Sequence, residues 1–193
     1  MDIEYIRAFF DRLAPAWDAS LVRHEAAIRR ILELSGIRSG DTVLDVACGT
    51  GVLIPDYFAL GARSVTAVDL SPEMLRIARA RFSHLPVTFL CGDAQTLSLP
   101  RAHRIMIYNA LPHFPDPSAL LCRLAGLLTP GGTLTVAHDM SREAVNALHS
   151  GAASAVSLEL PDADTLAAAF PPSLAITAQV SDDRMYLVTG ALR

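Results

Sequence analysis

Val43-Leu44-Asp45-Val46-Ala47-Cys48-Gly49-Thr50-Gly51 decides how this chain reads. Residues 42–46 are a short β-branched and apolar run, the composition of a buried strand. A turn follows at 48–51, and a helix continues to about Leu60. Gly49 and Gly51 let the backbone turn sharply and let a ligand approach the main chain closely. The helix behind them presents N–H groups without intrahelical partners. Strand, glycine turn and helix in that order make a ligand-binding unit of an α/β sheet.

Working outward, further strands are expected at 64–68, 87–90, 104–109 and 133–138, alternating with helices. Ser71 before Pro72 and Asp116 before Pro117 each join an N-cap side chain to a proline at the first helical position. The second of these opens a leucine-rich helix through Leu128, ended by residues 130–132. Such alternation implies a parallel sheet covered on both faces. Past His138, residues 141–149 and 162–170 read as helices. Residues 174–180 and 185–192 read as strands joined by a tight turn at 181–184, so at least one of them runs antiparallel.

Upstream, Ile3, Ile6, Phe9, Phe10 and Leu13 recur at helical spacing until Pro15 interrupts them. A second helix fits 21–34 and stops at Gly36. No strand precedes these helices. The expected organisation is one domain, 1–193, in which residues 1–36 are a helical lid on a core of 37–193. Residues 139–172 are long for a simple crossover and can cover the site.

A length of 193 residues suits one domain with a real core. The 16 basic residues are all arginines, so lysine chemistry is excluded, and the net charge of −4 disfavours nucleic acid as a partner. No apolar run is long enough to span a bilayer, and Asp2, Glu4 and Asp11 do not suit a secretion signal. The expectation is a cytoplasmic protein with no membrane partner. Cys48, Cys91 and Cys122 are odd in number and widely spaced, which excludes a disulfide framework or zinc ribbon. At least two of these thiols read as buried.

The ligand can be read from the acids. Ile54 stands where a dinucleotide fingerprint has its third glycine. Asp45, just before the turn, would repel a pyrophosphate but attract a ligand carrying an amino group. S-adenosylmethionine has an ammonium and a sulfonium and no phosphate. Asp69 ends the second strand 20 residues after Gly49, the spacing at which an acid accepts hydrogen bonds from ribose hydroxyls. In Cys91-Gly92-Asp93-Ala94, the acid can accept an adenine amine and the Ala94 N–H can reach a ring nitrogen. Met74 can pack on the base.

Leu-Asp-Val-Ala-Cys-Gly-Thr-Gly, then Val-Asp-Leu-Ser-Pro-Glu-Met-Leu, then Gly-Asp-Ala, then Leu-Thr-Pro-Gly-Gly-Thr-Leu is an order that resembles the Rossmann-like, class I S-adenosylmethionine-dependent methyltransferases. The opening Phe-Phe-Asp-Arg-Leu-Ala-Pro-Ala-Trp-Asp is similar, more weakly, to the start of the ubiquinone/menaquinone-type members. The resemblance implies a three-layer α/β sandwich with a seven-stranded, mostly parallel sheet and one antiparallel C-terminal strand. It implies that Asp45 and the turn of Ala47, Cys48, Gly49, Thr50 and Gly51 hold the methionine portion, and Asp69 the ribose. Leu70 and Met74 would flank adenine, Asp93 and Ala94 would read it, and Asn109 would face both the methionine moiety and the acceptor.

The expected function is methyl transfer to a small-molecule acceptor, releasing S-adenosylhomocysteine. Aligning nucleophile and methyl supplies much of such catalysis, and a base is needed only where the acceptor carries a proton. The candidate bases are His113, which follows the fourth strand, and His138, which ends the fifth; both should meet Asn109 in one acceptor pocket. A metal site built from His113, His138 and His149 lacks a short-spaced ligand pair, so no metal is expected. Neither an Asn-Pro-Pro-Tyr motif nor a basic tract appears. The acceptor atom stays open, as do two rival readings: a non-catalytic S-adenosylmethionine-binding module, and a nicotinamide-dependent oxidoreductase.

Overall fold

The computed structural model describes residues 1–151 and 153–193. Its strands are β1 (Thr42–Val46), β2 (Ser64–Asp69), β3 (Val87–Cys91), β4 (Ala102–Tyr108), β5 (Leu128–His138), β6 (Leu174–Ser181) and β7 (Tyr186–Leu192). They form one sheet in the order β3-β2-β1-β4-β5-β7-β6. The first five strands pair in parallel, while β7 is antiparallel to both β5 and β6. One strand is therefore reversed, as the resemblance implied.

The helices are α1 (Ile3–Ser20), α2 (Glu25–Ser35), α3 (Ile54–Ala59), α4 (Pro72–Phe82), α5 (Pro117–Ala125), α6 (Arg142–His149) and α7 (Ala163–Ala169). The two-residue period of the strands builds both faces. Along β4, Ile105 and Ile107 join Leu120, Leu124 and Leu166 of α5 and α7, while Met106 joins Ile28, Ile31 and Leu75 of α2 and α4. The expected caps form: Ser71 Oγ accepts from Met74 N at 3.1 Å and an Asp116 oxygen accepts from Ala119 N at 2.9 Å. Gly36, at φ +72°, ends α2.

Four local expectations give way. First, α1 runs through Pro15 to Ser20. A proline removes one N–H from the helical ladder, and the rest of α1 is held by packing on α4 and by the side-chain bonds described below. Second, α2 begins at Glu25, because Arg23 bonds the Val52 carbonyl and Asp56, and His24 bonds Asp139. Third, α5 ends at Ala125, and β5 starts at Leu128 and absorbs residues 130–132. Gly131 sits there at φ +72°, and a Cβ on Gly132 would lie 2.8 Å from the His103 and Thr129 carbonyl oxygens. The β4–β5 register shifts beside it, as at a bulge. Fourth, Cys48 is buried but Cys91 and Cys122 are exposed.

Gly51 has a different task from the one read in the sequence. It sits at φ +84°, and an added Cβ would lie 2.7 Å from Ile54 Cδ1 and 2.9 Å from Phe82 Cε2. Its missing side chain makes room for the core, not for a ligand. Gly51→Val is expected to lower the unfolding free energy by at least about 2 kcal/mol, through overpacking and backbone strain. Urea denaturation measures this; an unchanged midpoint would show that the turn has room to relax.

Candidate functional site

The order β3-β2-β1-β4-β5 reverses direction between β1 and β4, and a cleft opens outside the carboxyl ends of such strands. The cavity found there encloses about 1030 Å³ including its open mouth. Asp45, Ala47, Cys48, Gly49, Thr50, Asp69, Leu70, Met74, Asp93, Ala94, Asn109 and His113 all line it. Gly51 and His138 do not.

The turn is held from several sides. Cys48 N–H donates to the Val68 carbonyl at 3.0 Å, and Gly51 N–H to the Cys48 carbonyl at 2.9 Å. The Asp69 carboxylate accepts from Gly49 N–H at 2.7 Å and from Ser71 N–H at 2.8 Å. Gly49 adopts φ +56° with nothing within 4 Å of the position a Cβ would take. The backbone at Gly49, unlike that at Gly51, therefore faces open space. The helix expected directly behind the turn begins only at Ile54 and has six residues, so the turn itself supplies the backbone groups.

Burial governs the acids. It raises Asp45 to about 7, and the nearby Asp69 charge adds to the effect. It raises Asp69 to about 6 against the pull of its two N–H donors. Asp45, Asp69 and Asp93 are the charged side chains on the wall, and no arginine joins them. A cationic ligand suits this wall and a phosphate does not.

Helix α1 supplies the opposite wall through Ile3, Ile6, Phe10 and Trp17, with Leu21 following it. Two carboxylates fasten it. Asp11 accepts from Ser71 Oγ at 2.5 Å, and Asp18 accepts from Thr50 Oγ1 at 2.6 Å and from Arg81 at 2.7 Å. The sequence reading missed these contacts. The available signal was the seven-residue spacing of Phe10 with Trp17 and of Asp11 with Asp18, which returns a residue to the same helix face after two turns.

At the end of β4, Asn109 is in the left-handed region at φ +53°. Its amide donates to Asp139 at 2.8 Å and accepts from the Asp139 N–H at 3.2 Å. Asp139, which the sequence reading also missed, is buried and is met on its other oxygen by His24. Tyr108 lines the cavity as well, and burial with the Asp139 charge keeps its phenol protonated.

The histidines separate. Nδ1 of His113 lies 2.9 Å from the Val156 carbonyl. A carbonyl only accepts, so Nδ1 carries the proton and Nε2 is left as a base. Burial lowers His113 to about 4, so the ring is neutral at pH 7. His138 lies instead on the face of β5 shared by Leu134 and Val136, buried, with its ring 6.1 Å from that of Tyr186. It does not line the cavity; burial, with smaller effects from the nearby His149 and His113, lowers it to about 3. The single pocket expected for Asn109, His113 and His138 thus contains the first two. His149 stacks edgewise on His113 at 5.0 Å. Among the described residues no group of His, Cys, Asp or Glu is disposed to hold a metal.

Residues 43–132 match the family described as methyltransferase domain. That segment is thus similar to a methyltransferase domain, and the seven-stranded sheet is the Rossmann-like fold of such proteins. An uncharacterised methyltransferase of Mycobacterium bovis is 38% identical over 122 residues, which are 62% of this chain and 59% of that protein. The match thus spans less than two thirds of that relative. Among solved structures, the methyltransferase in a Haloferax volcanii complex with the Trm112 activator superposes with a TM-score of 0.82 at 21% identity, covering 95% of this chain and 97% of that one. The N-methyltransferase NodS of Bradyrhizobium japonicum, solved with S-adenosylhomocysteine, does so with a TM-score of 0.76 at 14% identity, covering 97% and 98%. No helix of the described residues is long and apolar enough to cross a membrane.

The raised acids make the stability of the protein depend on pH. Asp45 and Asp69 bind protons more tightly folded than unfolded. Their contribution is therefore full below the unfolded carboxylate range and lost as pH rises through about 6 to 7. His113 and His138, lowered by burial, act in the opposite sense below about 6.5, so the effect of Asp45 is read as a difference: the melting temperature of Asp45→Asn should rise relative to that of the ligand-free wild type as pH goes from roughly 5 to 8. A difference between the two proteins that stays level over that range would contradict the assignment.

Proposed function

We propose that this chain transfers a methyl group from S-adenosylmethionine to a small-molecule acceptor, releasing S-adenosylhomocysteine. The observation that carries the reading is the donor set of the cavity: two buried carboxylates, Asp45 and Asp69, beside an open backbone cradle at Gly49, with no cation on the wall. That set fits a ligand with an ammonium group and a ribose. When bound, S-adenosylmethionine supplies an electrophilic methyl carbon.

The residues then divide the work. Asp45 and the turn of Ala47, Cys48, Gly49 and Thr50 receive the amino-acid end, and Asp69 receives the ribose hydroxyls through lone pairs left free by its two backbone bonds. Leu70 and Met74 bracket the adenine, with Asp93 and Ala94 at its edge. Asn109 borders the reacting region. His113 Nε2 can take an acceptor proton.

Residues 1–36 act as the lid of this site, because α1 forms its outer wall and is fastened to the cofactor loops through Asp11 and Asp18. Residues 139–172 close the acceptor side. His113 and Pro112 bond Val156 and Leu158 from that segment at 2.9 and 2.7 Å. The acceptor region is therefore a pocket under a helix, which suits a small molecule better than a nucleic acid. Free Cys48, Cys91 and Cys122 suit a reducing, cytoplasmic setting.

Calorimetry is expected to give binding of S-adenosylmethionine and S-adenosylhomocysteine and none of NAD; tight NAD binding alone would overturn the reading. Affinity for S-adenosylhomocysteine should fall as pH drops below about 7, because its ammonium needs the ionised form of Asp45. Asp69→Ala should weaken it by about 1–3 kcal/mol. Because Asp69 also holds Gly49 and Ser71, the same change should cost stability, contrary to what a strand-end acid would suggest.

Deleting residues 1–18 should reduce methyl transfer more than it lowers the melting temperature. Hydrogen exchange across α1 should slow when S-adenosylhomocysteine is added. Exchange there that ignores the ligand would count against a lid.

A further inference from the structure

On the reading above, the cofactor leaves a second half of the cavity to residues it does not use, with Asn109 at the border. Its wall is Phe10 and Trp17 of α1, His113 and Phe114 after β4, and Tyr108 and Asn109 at the end of β4. The rings meet edge to face: Phe10 lies 5.9 Å from Trp17 and 4.9 Å from His113 between centroids, at 69° and 78°. Every charged side chain on the cavity wall is an aspartate on the cofactor side. This is so in a chain with 16 arginines. The second half thus has aromatic walls, a few neutral polar groups and no charge.

We propose that the acceptor is an uncharged aromatic hydroxy compound, its ring against Phe10 and Trp17 and its hydroxyl toward His113. This rests on the methyl-transfer reading above. A carboxylate or phosphate entering this half would lose its water with no cation to replace it. A flat ring gains contact area and edge-to-face geometry from Phe10 and Trp17. The hydroxyl is selected by His113, whose Nδ1 is committed to the Val156 carbonyl, leaving Nε2 to accept.

The strength of that base narrows the class. Burial sets His113 at about 4. An aryl hydroxyl, near 10, lies much closer to such a base than an alkyl hydroxyl does. Only the former is within practical reach of proton transfer. In the step, the hydroxyl proton passes to Nε2 while the oxygen's electron pair forms the new bond to the methyl carbon. The pair of the breaking carbon–sulfur bond stays on sulfur. An aryl methyl ether and S-adenosylhomocysteine result, and the imidazolium returns its proton to water.

The test uses the full chain saturated with S-adenosylhomocysteine, titrated with matched probes and followed by calorimetry and by the fluorescence of Trp17, the single tryptophan. The probes are p-cresol, 2-naphthol and methyl 4-hydroxybenzoate, set against 4-hydroxybenzoate and 6-hydroxy-2-naphthoate. The neutral compounds are expected to bind about tenfold or more tightly than their carboxylate counterparts, given the unpaired charge, and to change the Trp17 emission. Trp17→Leu, which keeps an apolar side chain on α1, should weaken the arenes more than it weakens S-adenosylhomocysteine. With S-adenosylmethionine, the best-bound neutral arene should yield its methyl ether.

Carboxylates that bind as well as their neutral twins would overturn the proposal, and so would S-adenosylhomocysteine binding with no neutral arene bound. If neither sulfur ligand binds, the methyl-transfer reading itself has failed, a result distinct from either of these.

Discussion

The site depends on one carboxylate. Asp69, at the end of β2, takes a backbone N–H from Gly49 on one oxygen and from Ser71 on the other. With it the glycine turn after β1 and the start of α4 become one unit. Burying that carboxylate is unfavourable, as its raised proton affinity records. The two N–H donors offset part of this, and a hydroxyl-bearing ligand can offset more. The residue that shapes the cradle is thus itself most comfortable when the cradle is filled.

The same unit organises the lid. Ser71, which caps α4 and donates its backbone N–H to Asp69, also gives its hydroxyl to Asp11 of α1, and Thr50 in the turn gives its hydroxyl to Asp18. Helix α1 is thus tied to both loops that Asp69 joins. At the far end of the cavity, His24 and Asp139 tie the start of α2 to Asn109. The aromatic wall carried by α1 therefore has fixed positions relative to both the cofactor loops and the end of β4.

Much of this was legible in the sequence because it rests on local rules. The strand before the glycine turn, the serine-proline and aspartate-proline caps, and the closing hairpin each follow from a few neighbouring residues. Eleven of the twelve residues expected to touch the cofactor line one cavity. What stayed hidden depends on tertiary partners. Pro15 breaks an isolated helix but not one whose neighbouring turns are fastened by Asp11 and Asp18. Pro130 and the two glycines after it signal a stop, yet the β4 edge accepts them as a bend within β5. His138 sits at the strand end that was expected, but its direction depends on which face of the sheet it takes, and a position in the sequence does not carry that. Gly51 was read as serving both a sharp turn and close approach of a ligand; it makes the turn, at φ +84°, but the space it leaves is taken by Ile54 and Phe82.

The place of β7 has a consequence for how the protein is made. It lies between β5 and β6, although both precede it in the chain. Until residues 186–192 leave the ribosome, the backbone donors and acceptors along one side of β5 have no partner strand, and β6 has nothing to join. A half-made chain thus carries a bare edge at the middle of its sheet, the kind of surface that recruits other strands. Closure of that gap waits for a strand made after both of its neighbours, so the nascent protein is most prone to mispairing before residues 186–192 emerge.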